Sequence, residues 1–334
     1  MAQSEWTIPD LLQLSGGYWA AGALHAGVRL DIFTPLAGGA LSAAVLANER
    51  GLDPRATAML LDALAALGLV AKQGDSYALT PFAADTLVRS APGYLGHIIR
   101  HHHHLMASWA HLHEAVQSGG AIRERFAHAD DAEARESFLM GMFNLANQLA
   151  PRIATAIDLT GRQRLLDLGG GPGTYALHFC RHYPELQAVV YDLPTTRAFA
   201  EATIARFGLA ERVTFHDGDY HAEPVPTGFD VAWLSHVLHA DGPAGCATIL
   251  AKAAQALEPG GMLLVQEFIL NDAKDGPLFP ALFSLNMLLG TQAGQSYCGG
   301  ELAAMMAAAG LEAISRLPVE LPNGAGIMVG HRPS

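Results

Sequence analysis

Charge is scarce in this chain of 334 residues: 16% are Asp, Glu, Lys or Arg, half are apolar, and 7% are aromatic. That balance excludes an intrinsically disordered polymer. Basic residues are the scarcer sign, 20 against 32 acidic, for a formal charge of −12. Such a surface argues against a protein that grips phosphate backbones. Cysteine is nearly lacking: Cys180, Cys246 and Cys298 are odd in number, far apart and in no metal-ligand spacing. No disulfide framework is expected, and a reducing compartment fits. No apolar run approaches the roughly 18 residues of a membrane span. The start, Met1-Ala2-Gln3-Ser4-Glu5-Trp6, lacks the basic and then apolar pattern of a signal peptide. A cytoplasmic globular protein of about two domains is the expectation, at about 150 residues each.

Residues 8–70 carry helical periodicity. Leu11, Leu12, Leu14, Tyr18 and Ala21 recur at helical spacing, as do Leu60, Leu61, Leu64 and Leu67. Asp53-Pro54 predicts an N-cap followed by proline in the first turn, and Gly68 predicts the stop. Two strand-like pieces follow at 69–72 and 76–79, with a turn at Gln73-Gly74-Asp75. Helix, helix and hairpin outline a winged helix. Between residues 41 and 90, however, Arg50, Arg55, Lys72 and Arg89 face Glu49, Asp53, Asp62, Asp75 and Asp85. A DNA reader carries a basic stripe on this module, so DNA binding is disfavoured. The apolar stretches 18–24 and 30–36 are better explained as packing surfaces, in part for a subunit contact.

From about 95 to 160 the pattern is helical again, and from 164 strands alternate with helices. Strands are expected at 164–168, 188–191, 213–216, 231–234 and 262–268, with crossover helices such as 195–207 and 244–257. The fold class is α/β, a doubly wound domain whose ligand crevice lies at the carboxyl ends of the strands.

The first of these strands runs straight into glycines, Asp167-Leu168-Gly169-Gly170-Gly171-Pro172-Gly173-Thr174. Glycine allows a tight turn and close approach of a ligand to the backbone, and the following helix offers free N–H groups. Taken alone, Gly171-Pro172-Gly173-Thr174-Tyr175-Ala176 also fits a dinucleotide pattern, or a plain strand–helix turn. The acids sharpen it. Asp167 would repel a pyrophosphate but suits a cation. Asp192 closes the second strand 19 residues after Gly173, where an acid accepts ribose hydroxyls. Asp219 follows the third strand, within reach of an adenine amino group. Leu193 and Tyr220 stand beside these two acids. The combination describes S-adenosylmethionine (SAM), with S-adenosylhomocysteine as product.

At this point the chain resembles the bacterial and plant small-molecule O-methyltransferases with an N-terminal winged-helix dimerisation domain. The segments that carry the resemblance are 17–24, 63–69, 77–81, 105–112, 167–173 and Leu257-Glu258-Pro259-Gly260-Gly261. It implies a dimerisation domain over 1–95 and a Rossmann-like methyltransferase domain over 96–334. The latter comprises a helical linker and acceptor segment, 96–160, and a core, 161–334. It also implies a homodimer, with neither nucleic acid nor membrane as partner. By the same resemblance His239 is the general base, Glu267 its orienter, and Ser235 and His236 contact the cofactor. A second orienting acid of plant relatives falls at Ser296, and the Asp that many relatives place directly after the histidine is Ala240, with Asp241 next. An acceptor needing no deprotonation, such as a thioether, or a family member with other chemistry, would tolerate both departures.

Histidines crowd the linker at 97, 101–104, 111 and 113. Four consecutive side chains point around a whole helix, so they cannot share one ion, and no metal is expected. The resemblance places His101, His104, Trp109, Phe138, Met142 and Asn147 near the acceptor, whose identity and accepting atom the sequence leaves open.

Overall fold

A computed structural model describes residues 6–124 and 131–334. The chain divides into two compact units, Met1–Leu105 and Met106–Ser334.

In the first unit, local chemistry sets the helix boundaries. Asp53 caps the helix Pro54–Ala66 by accepting from the Ala56 N–H at 2.8 Å, and Pro54 occupies its first turn. Strands β1 (Leu41–Ser42), β2 (Val70–Gln73) and β3 (Ser76–Leu79) form a small antiparallel sheet in the order 1-3-2. Gly74, at φ +59°, makes the tight β2–β3 turn. Phe33, Leu46, Leu61 and Leu64 fill the core beneath it. The helix Ile8–Gly16, by contrast, has no buried residue. Trp6, Ile8, Leu11, Leu12, Leu14 and Trp19 are each 59–76% exposed, an apolar face of the kind that marks an interaction surface.

The histidine run lies on the helix Gly96–Ala110. His25 is buried, and its ring meets that of His103 edge to face at 5.6 Å. Burial, then the neighbouring His103 and His102, pushes the His25 pKa below its ordinary value. A neutral, packed imidazole results.

The second unit is built on eight strands: β4 (Arg164–Leu168), β5 (Gln187–Asp192), β6 (Val213–Asp217), β7 (Phe229–Ser235), β8 (Leu257–Leu270), β9 (Tyr297–Cys298), β10 (Glu312–Arg316) and β11 (Ala325–His331). Their order is 10-11-8-7-4-5-6, with β9 beside β8. Pairings among β4, β5, β6, β7 and β8 are parallel. Strands buried on both faces read as continuous apolar runs, and Leu165, Leu166 and Leu168 of β4 are fully buried. From β4 the chain moves outward to β5 and β6, then returns to add β7 and β8 on the other side. That reversal opens a crevice at the carboxyl ends of β4 and β7.

Each of the five strands expected after residue 164 exists: β4 at the residues expected, β5, β6 and β7 slightly longer, and β8 about twice as long. Three more complete the sheet: β11 runs antiparallel to β8, β10 antiparallel to β11, and the short β9 parallel to the end of β8. Among the described residues no helix is long and apolar enough to cross a membrane.

Candidate active site

Beyond β4 the turn adopts φ +70° at Gly169, +55° at Gly171 and +77° at Gly173, a conformation that side-chain-bearing residues rarely accept. The three glycines differ in what surrounds them. A Cβ on Gly169 would come within 2.8 Å of Val237 and 3.4 Å of the Tyr220 ring, and one on Gly173 within 3.0 Å of Val190. A Cβ on Gly171 would meet nothing within 4 Å. It is the part of the turn open to a ligand.

Asp192 ties this turn to the end of β5. Its Oδ2 accepts from Gly171 N–H at 2.7 Å, while Oδ1 accepts from Leu193 N–H at 2.7 Å and from the Thr196 hydroxyl at 3.2 Å. Asp219 accepts from His221 N–H at 2.8 Å, which shapes the loop beyond β6. On β7 the Ser235 hydroxyl donates to Oε1 of Gln266 at 3.2 Å. Gln266 is fully buried, a polar site residue that the apolar pattern of its strand conceals.

Asp167 stands behind the turn rather than along its open edge. It is 1% exposed, accepts from Ala176 N–H at 3.3 Å, and would be struck at 2.6 Å by a Cβ on Gly170. Burial raises its pKa to about 7; the Ala176 hydrogen bond opposes the rise and the Asp192 charge adds to it. A carboxyl whose pKa is higher folded than unfolded costs nothing below the unfolded value, and its penalty grows as pH climbs toward the folded one. Asp167→Asn should therefore stabilise the ligand-free protein by up to a few kcal/mol above pH 7, since each tenfold change in proton affinity is worth about 1.4 kcal/mol. Near pH 4 it should add nothing. Thermal denaturation of both proteins across that range checks it; equal gains at both ends contradict it.

The second half of the site begins where β7 ends. His236 is held at φ +57°, a left-handed conformation that costs a non-glycine residue energy. The chain then enters a short helical turn, Leu238–Ala240. Across from it, on β8, Glu267 is buried and fully engaged. Its Oε1 accepts from Leu238 N–H at 2.8 Å and His239 N–H at 3.3 Å, and its Oε2 lies 2.7 Å from His239 Nδ1. Burial alone would raise the Glu267 pKa, but the adjoining His239 and His236 imidazoles outweigh it and hold the carboxyl below the usual range. His239 thus has Nδ1 committed to a carboxylate and Nε2 left for other work.

Aromatic rings surround the pair. His239 meets Phe283 edge to face at 4.8 Å, His236 lies 4.3 Å from Phe268, and Phe279 and Phe283 stack at 6.0 Å. Phe279 and Phe283 share one side of the helix Leu278–Gly290. Their i, i+4 spacing is the one sequence signal that could have found them, and the motif-based reading does not use it. Ser296 does not join the pair: its buried hydroxyl donates to Pro280 C=O at 2.9 Å. Asp241 lies 3.6 Å from His221.

The residues expected near an acceptor are spread out. Trp109 donates to Asn286 at 3.3 Å. Phe138, Met142 and Asn147 lie on the helix Ala132–Ala156, where Asn147 is engaged with His178 at 2.9 Å. His101 and His104 belong to the first unit.

Comparison with known proteins comes down on one side. The profile of an O-methyltransferase domain matches residues 109–312, and that of an O-methyltransferase dimerisation domain matches 12–90. The chain is 33% identical to 3-hydroxy-5-methyl-1-naphthoate 3-O-methyltransferase of Streptomyces sahachiroi, over 96% of this chain and 95% of that one. Among solved structures it is similar to PigF with SAH, at TM-score 0.90 and 26% identity over 98% of this chain and 100% of that one. Human N-acetylserotonin methyltransferase in complex with SAM matches at TM-score 0.86 and 25% identity, over all of both chains.

Proposed function

The chain belongs to the SAM-dependent O-methyltransferase family that carries an N-terminal dimerisation domain, and on that footing we propose that it methylates a hydroxyl of a small aromatic molecule, with His239 as general base. The observation that carries this reading is the 2.7 Å pairing of His239 Nδ1 with buried Glu267.

The residues present fit SAM. Gly171 presents open backbone, and carboxylates rather than cations flank the turn, as suits a positively charged nucleoside and not a pyrophosphate. Asp192 and Leu193 would hold the ribose side, Asp219 and Tyr220 the adenine, and Gly169, Gly171 and Gly173 would let the ligand approach. Ser235 and His236 border the far end, and Asp167 contributes negative charge from behind the turn. When bound, SAM supplies an electrophilic methyl group on a sulfonium.

Everything else falls to the chain's own side chains. Glu267 fixes the tautomer of His239 with the proton on Nδ1, so Nε2 accepts the proton of the acceptor hydroxyl. Orientation carries much of the remaining rate. One buried carboxylate held by two backbone N–H groups does the orienting, which is why Ser296 can stand where other members have an acid.

Phe279 and Phe283 favour a flat acceptor beside the base. Trp109, Phe138 and Met142 line its approach in this proposal, with His101, His104 and Asn147 carried over from the family resemblance. The exposed face of the first helices is the natural homodimer contact. The three buried free cysteines fit work in the cytoplasm. Calorimetry should show binding of SAM and S-adenosylhomocysteine and none of NAD. Incubation with SAM and hydroxylated fused-ring aromatic acids, of the kind named for the Streptomyces sahachiroi relative, should give a product heavier by one CH₂ in mass spectrometry. A product gaining a whole methyl cation would mark a thioether acceptor and overturn the hydroxyl reading.

A further inference from the structure

The geometry points to a second use of the base: His236, His239 and Glu267 form a binding site for a borderline transition-metal ion such as Zn²⁺, and occupation of that site silences methyl transfer. One ligand atom from each residue lies within 4.8 Å of the other two. The Nδ1 atoms of His239 and His236 stand 2.7 and 3.6 Å from the same oxygen, Oε2 of Glu267. Four-coordinate zinc with bonds of about 2 Å holds its ligand atoms about 3.3 Å apart; the two nitrogen–oxygen spacings are close to that value, and the two imidazoles, within 4.8 Å of each other, would draw together on the ion. Two imidazoles and a carboxylate, with one position left to water, is a common zinc donor set.

A separate observation concerns His236. Its Nδ1 is buried and faces Oε2 of Glu267 at 3.6 Å, beyond hydrogen-bond distance, with no other partner among the described residues. The ring is aimed there by a backbone at φ +57°, and it is braced by Phe268 and by the bond from His236 N–H to Gln266 C=O at 2.9 Å. Burying an imidazole nitrogen unsatisfied is costly, and a left-handed backbone adds to the cost. A metal ion would satisfy that nitrogen.

Silencing follows from proton placement. In the metal-free pair, neutral His239 carries its proton on Nδ1 and accepts at Nε2. With a metal on Nδ1, the one proton of the neutral ring moves to Nε2, and no lone pair faces the acceptor hydroxyl. No proton is gained or lost overall; the base is turned around. This consequence rests on the reading of His239 as the base, whereas the metal site itself does not.

Cobalt(II) serves as a visible probe for the full-length, SAM-free enzyme. Addition of Co²⁺ should raise the d–d absorption of a four-coordinate site at one equivalent per chain, and Zn²⁺ should abolish it. His236→Asn, which keeps a residue tolerant of the left-handed backbone, and His239→Ala should each weaken cobalt binding at least about tenfold. Replacing His101, His102, His103 and His104 together should leave the spectrum unchanged. An absent spectrum in the wild type, or one undiminished in both variants, overturns the site. In the wild type, Zn²⁺ should stop methylation and a chelator restore it. Metal bound at these residues with turnover untouched would keep the site and overturn His239 as base.

Discussion

Replacing His239 with alanine is expected to lower the rate of methyl transfer by roughly 10²- to 10⁴-fold, the usual contribution of a positioned acid–base group. SAM affinity should be unchanged, because the turn proposed to receive SAM is built from β4, β5 and the bonds of Asp192 to Gly171 and Leu193. Single-turnover kinetics beside calorimetry separates the two quantities. The loss should shrink with acceptors of lower hydroxyl pKa, which need less help to ionise. A variant with near wild-type turnover on a weakly acidic phenol would remove His239 from the reaction.

Glu267→Gln should be nearly as damaging, by a different route. The side chain receives two backbone N–H donors on Oε1 and faces His239 Nδ1 with Oε2. A glutamine must turn its carbonyl toward the two backbone donors, since its NH₂ cannot accept from them. That leaves NH₂ facing Nδ1, which must then accept, and the imidazole proton shifts to Nε2. Locking the wrong tautomer in a serine protease triad costs on the order of 10⁴-fold, and a loss of about 10²- to 10⁴-fold is expected here. Folding should survive, because the isosteric amide keeps the backbone bonds. Glu267→Ala is different: it strands those two N–H groups and the Nδ1–H of His239, and each buried donor left without an acceptor costs about 1–3 kcal/mol of stability. An active Glu267→Gln enzyme would show that tautomer control is not what the carboxylate does.

How much of the molecule is legible in its sequence depends on how local the cause is. β4 and β3 stand at the residues expected, because an apolar run bounded by glycines and a polar hairpin are each visible in a short window. Asp53-Pro54 announces its helix for the same reason. β10 is not legible: four of its five residues, Glu312, Ala313, Ser315 and Arg316, are exposed, so it forms through pairing with β11 rather than through its own pattern. The depth of Asp167 is equally hidden, because it depends on its neighbour across the sheet, Trp233 of β7, a residue far away in sequence. His239 and Glu267 are reached by resemblance. The approach of His236 to the same carboxylate depends on a left-handed backbone that nothing in the sequence marks.

The unburied helix at the amino end has a consequence for the physical state of the protein. With no core of its own, that segment gains little by folding in a lone subunit, so under the proposed dimer contact its order and the pairing of two copies become one equilibrium. Diluting the protein should then melt the segment as it separates the copies, with the law of mass action, more than any intrinsic helix preference, setting how much of it is folded.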